Sequence, residues 1–284
     1  MSGRHPNVQV SLAAFPGQRH ECAAHLAVQL HAAGVLSEPA VGPLRVDHLQ
    51  LVPQSYGVLT PALAEQLRSD HPSVAFRLHA NVRVTEDYRV VDLSNMFAPV
   101  HEPWLHNAAQ ISQRLGARAY TAHAGYRHQA SLAQMLDNAR RAADVFGCPV
   151  GVEGLYPSPR ADYLVSTWVE YRAVFESGVP YAVDLSHLNI VQRAEGRAEL
   201  SLVREMLASE RCIEVHVSSN DGTRDLHQIC EEPAWWADLL DHVHPAAVVF
   251  SEGNHRPRVR ALMENDPVDS QALEPSTDNK ALTF

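Results

Sequence analysis

Arg118-Ala-Tyr-Thr-Ala-His123 and Pro149-Val-Gly-Val-Glu153 are two short apolar runs, and Ser131–Phe146 between them carries helical periodicity closed by Gly147. A short apolar run bounded by turn residues reads as a buried strand, and an apolar period of about 3.6 reads as a helix lying on it. The unit is therefore strand–helix–strand. Each strand ends on a side chain that ligates metals or moves protons.

Working outward from this unit gives eight strands: Val8–Leu12, Leu44–Val52, Val74–His79, Arg118–His123, Pro149–Glu153, Tyr181–Asp184, Cys212–Val217 and Ala247–Glu252. Helical stretches alternate with them at Gln18–Ala33, Pro61–Arg68 behind Thr60, Pro103–Leu115, Ser131–Phe146, Asp162–Glu176, Leu200–Leu207 and Pro233–Val243. Several close on glycine, the usual helix stop. Eight strand–helix repeats in about 250 residues predict an α/β fold, a closed parallel (β/α)8 TIM barrel of the xylose-isomerase-like kind. A doubly wound open sheet is the alternative, and no G-x-G-x-x-G follows the first strand to support its dinucleotide-binding form. One domain is expected over residues 1–264, with a loosely ordered tail over 265–284 rich in Asp, Pro, Ser and Asn.

The 284 residues carry 23 Lys and Arg against 33 Asp and Glu, a net charge of −10. That balance disfavours a generic nucleic-acid binder, which needs cations for phosphates. The cysteines Cys22, Cys148, Cys212 and Cys230 form no C-x-x-C pair, so no zinc ribbon or thioredoxin motif is expected. No signal-peptide pattern and no long apolar span is apparent, and a reducing cytoplasm is the expected compartment.

The strand ends carry the chemistry. His79, His123, Glu153, Asp184, His216 and Glu252 close six consecutive strands. In such barrels the active site lies at the C-terminal rim. One such residue is more commonly a satisfied histidine or a helix cap, but six in register are hard to assign that way. Three more extend the set. His187 follows in Asp184-Leu-Ser-His187, read as one loop turn. Asp225 and His227 alternate in a hairpin-like loop after strand seven, so an extended segment puts them on one face. Four carboxylates gathered away from water would repel one another, and two or three divalent cations remove that cost. Imidazole with carboxylate and no thiol suits an open catalytic site for Fe, Mn or Zn.

Other residues have blander readings. Tyr56, Tyr126, Tyr156 and Asn254 sit near the rim as supports around the ligands or as substrate contacts. Asp221 before Gly222 reads as turn chemistry. Trp235 and Trp236 are placed on a helix, as core or interface. Arg256 and Arg258 are surface cations or binders of an acidic group. His5, His20, His25, His31, His71, His101, His106, His128, His242 and His244 fall in helices or loops and are expected on the solvated surface. No G-x-S-x-G elbow or P-loop occurs.

The order His, His, Glu, Asp-x-x-His, His, Asp-x-His, Glu resembles that of endonuclease IV, the three-zinc abasic-site nuclease of the xylose-isomerase-like barrels, and matches all nine ligand types. A second resemblance runs over nearly the whole chain. It is to the multinuclear non-haem iron barrels that modify ribosomal peptides, such as the methanobactin oxazolone/thioamide synthase and the enzyme that excises a cysteine β-carbon in 3-thiaglutamate biosynthesis. It rests on Leu44-Arg-Val-Asp-His-Leu-Gln-Leu-Val-Pro-Gln-Ser-Tyr56, on Phe76-Arg-Leu-His79 and on Leu115-Gly-Ala-Arg-Ala-Tyr-Thr-Ala-His123. Asp225-Leu-His227 running through Pro233 to Trp235 and Phe250-Ser-Glu252-Gly-Asn254-His-Arg-Pro257 complete it. The chain departs from that family in having Gly154 where Asn usually follows Glu153, in having His187 where Asn is common, and in its opening Val8-Gln-Val-Ser-Leu12.

The resemblance implies two or three iron ions (zinc or manganese otherwise) held by the nine residues, and dioxygen-dependent oxidation of a cysteine on a precursor or carrier peptide. It also implies a separate peptide-docking protein. The alternatives are a zinc phosphodiesterase of the endonuclease IV type and a sugar isomerase or epimerase. The latter needs one metal and a smaller ligand set.

Overall fold

The computed structural model describes residues 6–232, 234–257 and 259. Eight parallel strands form one sheet: β1 (Val8–Ser11), β2 (Arg45–Leu51), β3 (Ala75–Leu78), β4 (Tyr120–His123), β5 (Val150–Glu153), β6 (Tyr181–Asp184), β7 (Cys212–Val217) and β8 (Val248–Ser251). Their spatial order is β3-β2-β1-β8-β7-β6-β5-β4, so neighbours in sequence are neighbours in space and β1 pairs with β8. That closing pair makes this a nearly closed (β/α)8 barrel and not a doubly wound sheet. At the seam between β3 and β4, side chains take over: His79 Nδ1 lies 3.2 Å from Thr121 Oγ1. Backbone helps there too, since Leu93 and Ser94 donate to the carbonyls of His123 and Ala124.

Both strands of the β5–β6 pair are buried along their whole length, as a sheet covered on both faces requires. The covering helices are α1 (His20–Ala32), α2 (Pro61–Asp70), α3 (Glu102–Leu115), α4 (Leu132–Phe146), α5 (Trp168–Glu176), α6 (Leu185–Glu195) and α7 (Leu200–Ala208). Local chemistry sets their ends. Thr60, Ser131 and Thr167 accept backbone N–H groups in the first turns of α2, α4 and α5. Gly116, Gly147 and Gly196 take the left-handed conformation that ends α3, α4 and α6.

Three expected elements change. The run after Asp184 is a helix, α6, where a loop turn was expected; its apolar face (Leu185, Leu188, Ile190, Val191) is buried. Residues 162–167 are a loop, because Tyr163 bridges to Tyr126 and the helix waits for the Thr167 cap. The last helical stretch is a 3-10 helix, Ala237–His242, and Trp235 and Trp236 precede it in a turn, with Trp236 buried. Pro233, Arg258, His5 and the tail 265–284 lie outside the described residues. His20, expected at the surface, is buried, and burial pushes its imidazole down to about 4. His31 is half-buried, its Nδ1 3.0 Å from the Leu44 carbonyl. Among the described residues no helix is long and apolar enough to cross a membrane.

Candidate metal centre

All nine expected side chains meet at the C-terminal rim. His123, Glu153 and Asp184 are the last residues of β4, β5 and β6, and His216 is the second-last of β7. His79 and Glu252 follow directly on β3 and β8. Register does the rest: His123 pairs with Glu153, and Asp184 with His216, so parallel neighbours present these side chains side by side.

Glu153 is central. Its carboxylate lies 3.4 Å from His79 Nε2, 3.9 Å from His123 Nε2, 3.7 Å from His187 Nδ1 and 3.5 Å from His216 Nδ1. Asp184 Oδ2 lies 3.4 Å from His187 Nε2 and 3.9 Å from His216 Nδ1. Asp225 Oδ2 is 3.5 Å from His187 Nε2 and 2.7 Å from His227 Nε2, and Glu252 Oε2 is 3.7 Å from the same His227 nitrogen and 4.0 Å from His216 Nδ1. The contacts form one connected cage.

The local fold explains each placement. Asp184 caps α6: its Oδ1 accepts the N–H groups of Ser186 and His187, which leaves Oδ2 facing inward. His187 is thus held one turn into a helix, and its Nδ1–H donates to the Gly154 carbonyl at 2.9 Å. The expected hairpin-like loop is present, with Ser219 and Gln228 exchanging backbone bonds at 2.8 and 3.0 Å. Within it His227 has φ +45°, so Asp225 and His227 meet across a local backbone kink and not along the extended segment expected. Asp221 makes the turn expected of it, accepting from Thr223 and Arg224 backbone N–H groups.

Electrostatics show a site that calls for positive charge. Burial alone would depress the imidazoles, yet Asp184, Asp225 and Glu153 raise His187 to about 10, and Asp225 and Glu252 raise His227 to about 10. His216 is raised well above its ordinary value by Glu252 and Glu153 against burial. Burial would lift Glu153, but His79, His216 and His123 hold it well below the usual carboxylate range, and His227 does the same for Asp225. His79 goes the other way, and burial lowers it to about 3. His123 is raised as well, by Glu153 and Asp92 against burial, so four imidazoles of the cage favour the positive form. The donor set also fits cations directly: Glu153 Oε2, Asp184 Oδ2 and His216 Nδ1 are buried polar atoms with no hydrogen-bond partner, and all three belong to the cage.

Sequence reading missed several supports. Asp92 stands 3.6 Å from His123 Nδ1 and accepts from Asn81, whose φ is +62°. Glu214 lies beneath His79 and His216. Glu38 accepts from Ser251 Oγ and from His255 Nε2 (3.0 Å), which steadies the segment carrying Glu252. Glu38 meets partners more than 200 residues away, and Asp92 sits in the irregular segment before α3, so periodicity carried no signal for them. Of the rim residues, Tyr156 touches the cage, its ring centroid 4.8 Å from that of His187. Asn254 donates its N–H to the His227 carbonyl, and its side chain accepts from the Arg256 N–H. Tyr56 is 46% exposed on the loop after β2. Tyr126 packs on Tyr163, and Arg256 is exposed.

The sequence matches no protein-family model and no curated protein. Solved structures match over nearly the full length. A D-tagatose 3-epimerase-like protein aligns with TM-score 0.61 at 16% identity, over 92% of this chain and 96% of that one. An AP endonuclease, family 2, from Brucella melitensis gives 0.60 at 15%, over 92% and 99%. Endonuclease IV from Thermus thermophilus gives 0.53 at 15%, over 92% and 100%. The chain shares the fold of these xylose-isomerase-like barrels.

Proposed function

We propose that this chain is a multinuclear metalloenzyme, with iron as its resident metal, that oxidatively modifies a cysteine on a ribosomally made precursor or carrier peptide. One observation carries the metal part: seven imidazoles and carboxylates fall into overlapping clusters of metal-binding size, Asp225 and His227 join them through His187 and Glu252, and three buried donor atoms of this cage have no partner in the protein. His79, His123, Glu153, Asp184, His187, His216, Asp225, His227 and Glu252 would hold two or three ions. Iron bound there supplies a seat for a thiolate and redox chemistry with dioxygen.

The chain's own residues determine where the peptide arrives. His123 and His227 are about a quarter exposed, whereas Glu153, Asp184 and His216 are 1% exposed, so substrate enters between the former two. Tyr156 packs against the His187 ring and would flank the bound peptide. The net charge of −10 and the pairing of Arg127 with Asp162 and Glu170 favour a peptide over a phosphate backbone. The motif resemblance over most of the chain supports the oxidative reading.

A second reading, a zinc phosphodiesterase, draws support from His187, whose place on α6 beside Asp184 completes the nine-residue order of endonuclease IV. Nine donors exceed what a one-metal sugar epimerase needs. Metal analysis of anaerobically purified protein separates these readings, followed by oxygen-uptake assays with cysteine-bearing peptides and nicking assays on abasic duplex. Two or more iron equivalents with peptide-dependent oxygen uptake is the expected result. Zinc with strand nicking overturns it.

A further inference from the structure

One layer deeper in the barrel, Arg77, Thr121 and Glu214 stand two residues before His79, His123 and His216 on their strands and so face the same interior. Gln50 joins them from β2. Glu214 Oε1 accepts from Gln50 Nε2 (2.8 Å), Thr121 Oγ1 (2.7 Å) and His216 Nε2 (2.7 Å), and its Oε2 accepts from Arg77 Nη1 (2.7 Å). The donor atoms of His79, Glu214 and His216 lie within 4.8 Å of one another, a spacing that an ion could use. But a carboxylate already serving four donors has little left to offer a metal. Glu214 is therefore a support and not a ligand.

We infer that Arg77 and Glu214 choose which nitrogens of His79 and His216 face the metals, an assignment that rests on the metal centre proposed above. The logic is hydrogen-bond direction. Arg77 Nη1 and Gln50 Nε2 can only donate, and each reaches a different oxygen of Glu214, so both carboxylate oxygens act as acceptors. His216 Nε2 at 2.7 Å must then carry the hydrogen. Its Nδ1, the buried atom without a partner, becomes the lone pair aimed at the cage. Gln50 Nε2 lies 3.0 Å from His216 Nε2, two donors sharing one acceptor.

The same carboxylate reaches His79 through Thr121. A hydroxyl has one hydrogen, and Thr121 commits it to Glu214. The 3.2 Å contact between Thr121 Oγ1 and His79 Nδ1 is then made by the ring N–H. His79 Nε2, facing Glu153 at 3.4 Å, is left as the ligand. One buried ion pair thus fixes two imidazoles on opposite strands, and Glu214 acts as a positioning residue for both.

The test uses zinc as the probe and histidine-labelled full-length protein, with ring nitrogen chemical shifts as the readout. Wild type is expected to bind zinc through His79 Nε2 and His216 Nδ1. Thr121→Val is expected to weaken zinc binding about 10- to 100-fold and alter the His79 shifts while sparing those of His216. Glu214→Gln is expected to disturb both rings; should that variant not fold, Thr121→Val decides alone. Zinc bound through His216 Nε2 or His79 Nδ1, or a Thr121→Val protein with wild-type affinity and shifts, overturns the assignment. A wild-type chain that takes up no ion sinks the proposed function along with it, whereas uptake through the other two nitrogens sinks this assignment alone.

Discussion

Asp184 meets His187 twice: one carboxylate oxygen accepts the His187 backbone N–H at 3.0 Å, and the other faces the His187 Nε2 at 3.4 Å. The first contact starts a helix and the second builds the cage. Folding and ligand placement are therefore the same event at this corner, and substitution can separate them. Asp184→Asn keeps a side chain that caps helices as well as Asp does and removes the charge. Near neutral pH, metal-free Asp184→Asn should keep the cap but lose the charge that most raises His187, so it should unfold at lower urea than wild type, and it should bind one ion fewer. Asp184→Ala should also lose about 1 kcal/mol of stability through the cap. Full ion binding by Asp184→Asn, measured by elemental analysis, would remove Asp184 from the ligand set.

Gly154 is a second such corner. Its carbonyl accepts from His187 Nδ1, and a Cβ built on it would sit 2.6 Å from the buried Tyr171 hydroxyl oxygen, which itself donates to the Leu155 carbonyl. Gly154→Ala should cost about 1–3 kcal/mol by overpacking. It should also loosen His187 by shifting the carbonyl that orients it. Denaturant unfolding and metal titration of the same sample check both effects. An unchanged midpoint with unchanged affinity contradicts this account of why glycine stands there.

The barrel and the gathering of these side chains at its rim were legible because both depend on local pattern. Strand period and apolar runs mark β4, β5 and β6, and each places its last residue on the rim by geometry alone. What escaped reading depends on pairing across the barrel. Asp184-Leu-Ser-His187 reads as a loop until its carboxylate is seen to cap α6. Glu214 looks like one polar residue inside an apolar run, and its meaning arises from Arg77, 137 residues away. His20 looks like a surface residue because its burial comes from tertiary packing and not from helical period.

Charge in the cage predicts an unusual stability profile for metal-free protein. His187 and His227 have folded values near 10, above the unfolded value near 6.5, so the stability they confer is complete below pH 6.5 and is lost as pH rises toward 10. His79 and His48 are depressed by burial to about 3, so their contribution is complete above pH 6.5 and is lost as pH falls toward 3. Stability in the presence of a chelator should therefore peak near pH 6–7 and fall on both sides. With saturating metal the alkaline fall should shrink, because ions replace the imidazole protons. Urea midpoints taken across the acid and alkaline limbs, with chelator and with metal, check this. A chelated protein whose stability keeps rising well into the alkaline range contradicts the assigned imidazolium pairs.

Glu153 and His227 occupy opposite extremes of connectivity, and that difference predicts how many ions each variant retains. Glu153 approaches four imidazoles, with Oε2 facing His79 and Oε1 facing His123, His187 and His216. With two ions bound as proposed, it would be placed to bridge them. His227 reaches Asp225 and Glu252 and forms one edge of the cage. Glu153→Gln should lower bound metal by more than one equivalent and remove any magnetic coupling between ions. His227→Ala should lower it by one at most and leave coupling in the remaining pair. Elemental analysis with low-temperature magnetic spectroscopy distinguishes the two. Equal losses from both variants would mean that Glu153 serves one ion, and the cage would then have to be redrawn as separate sites.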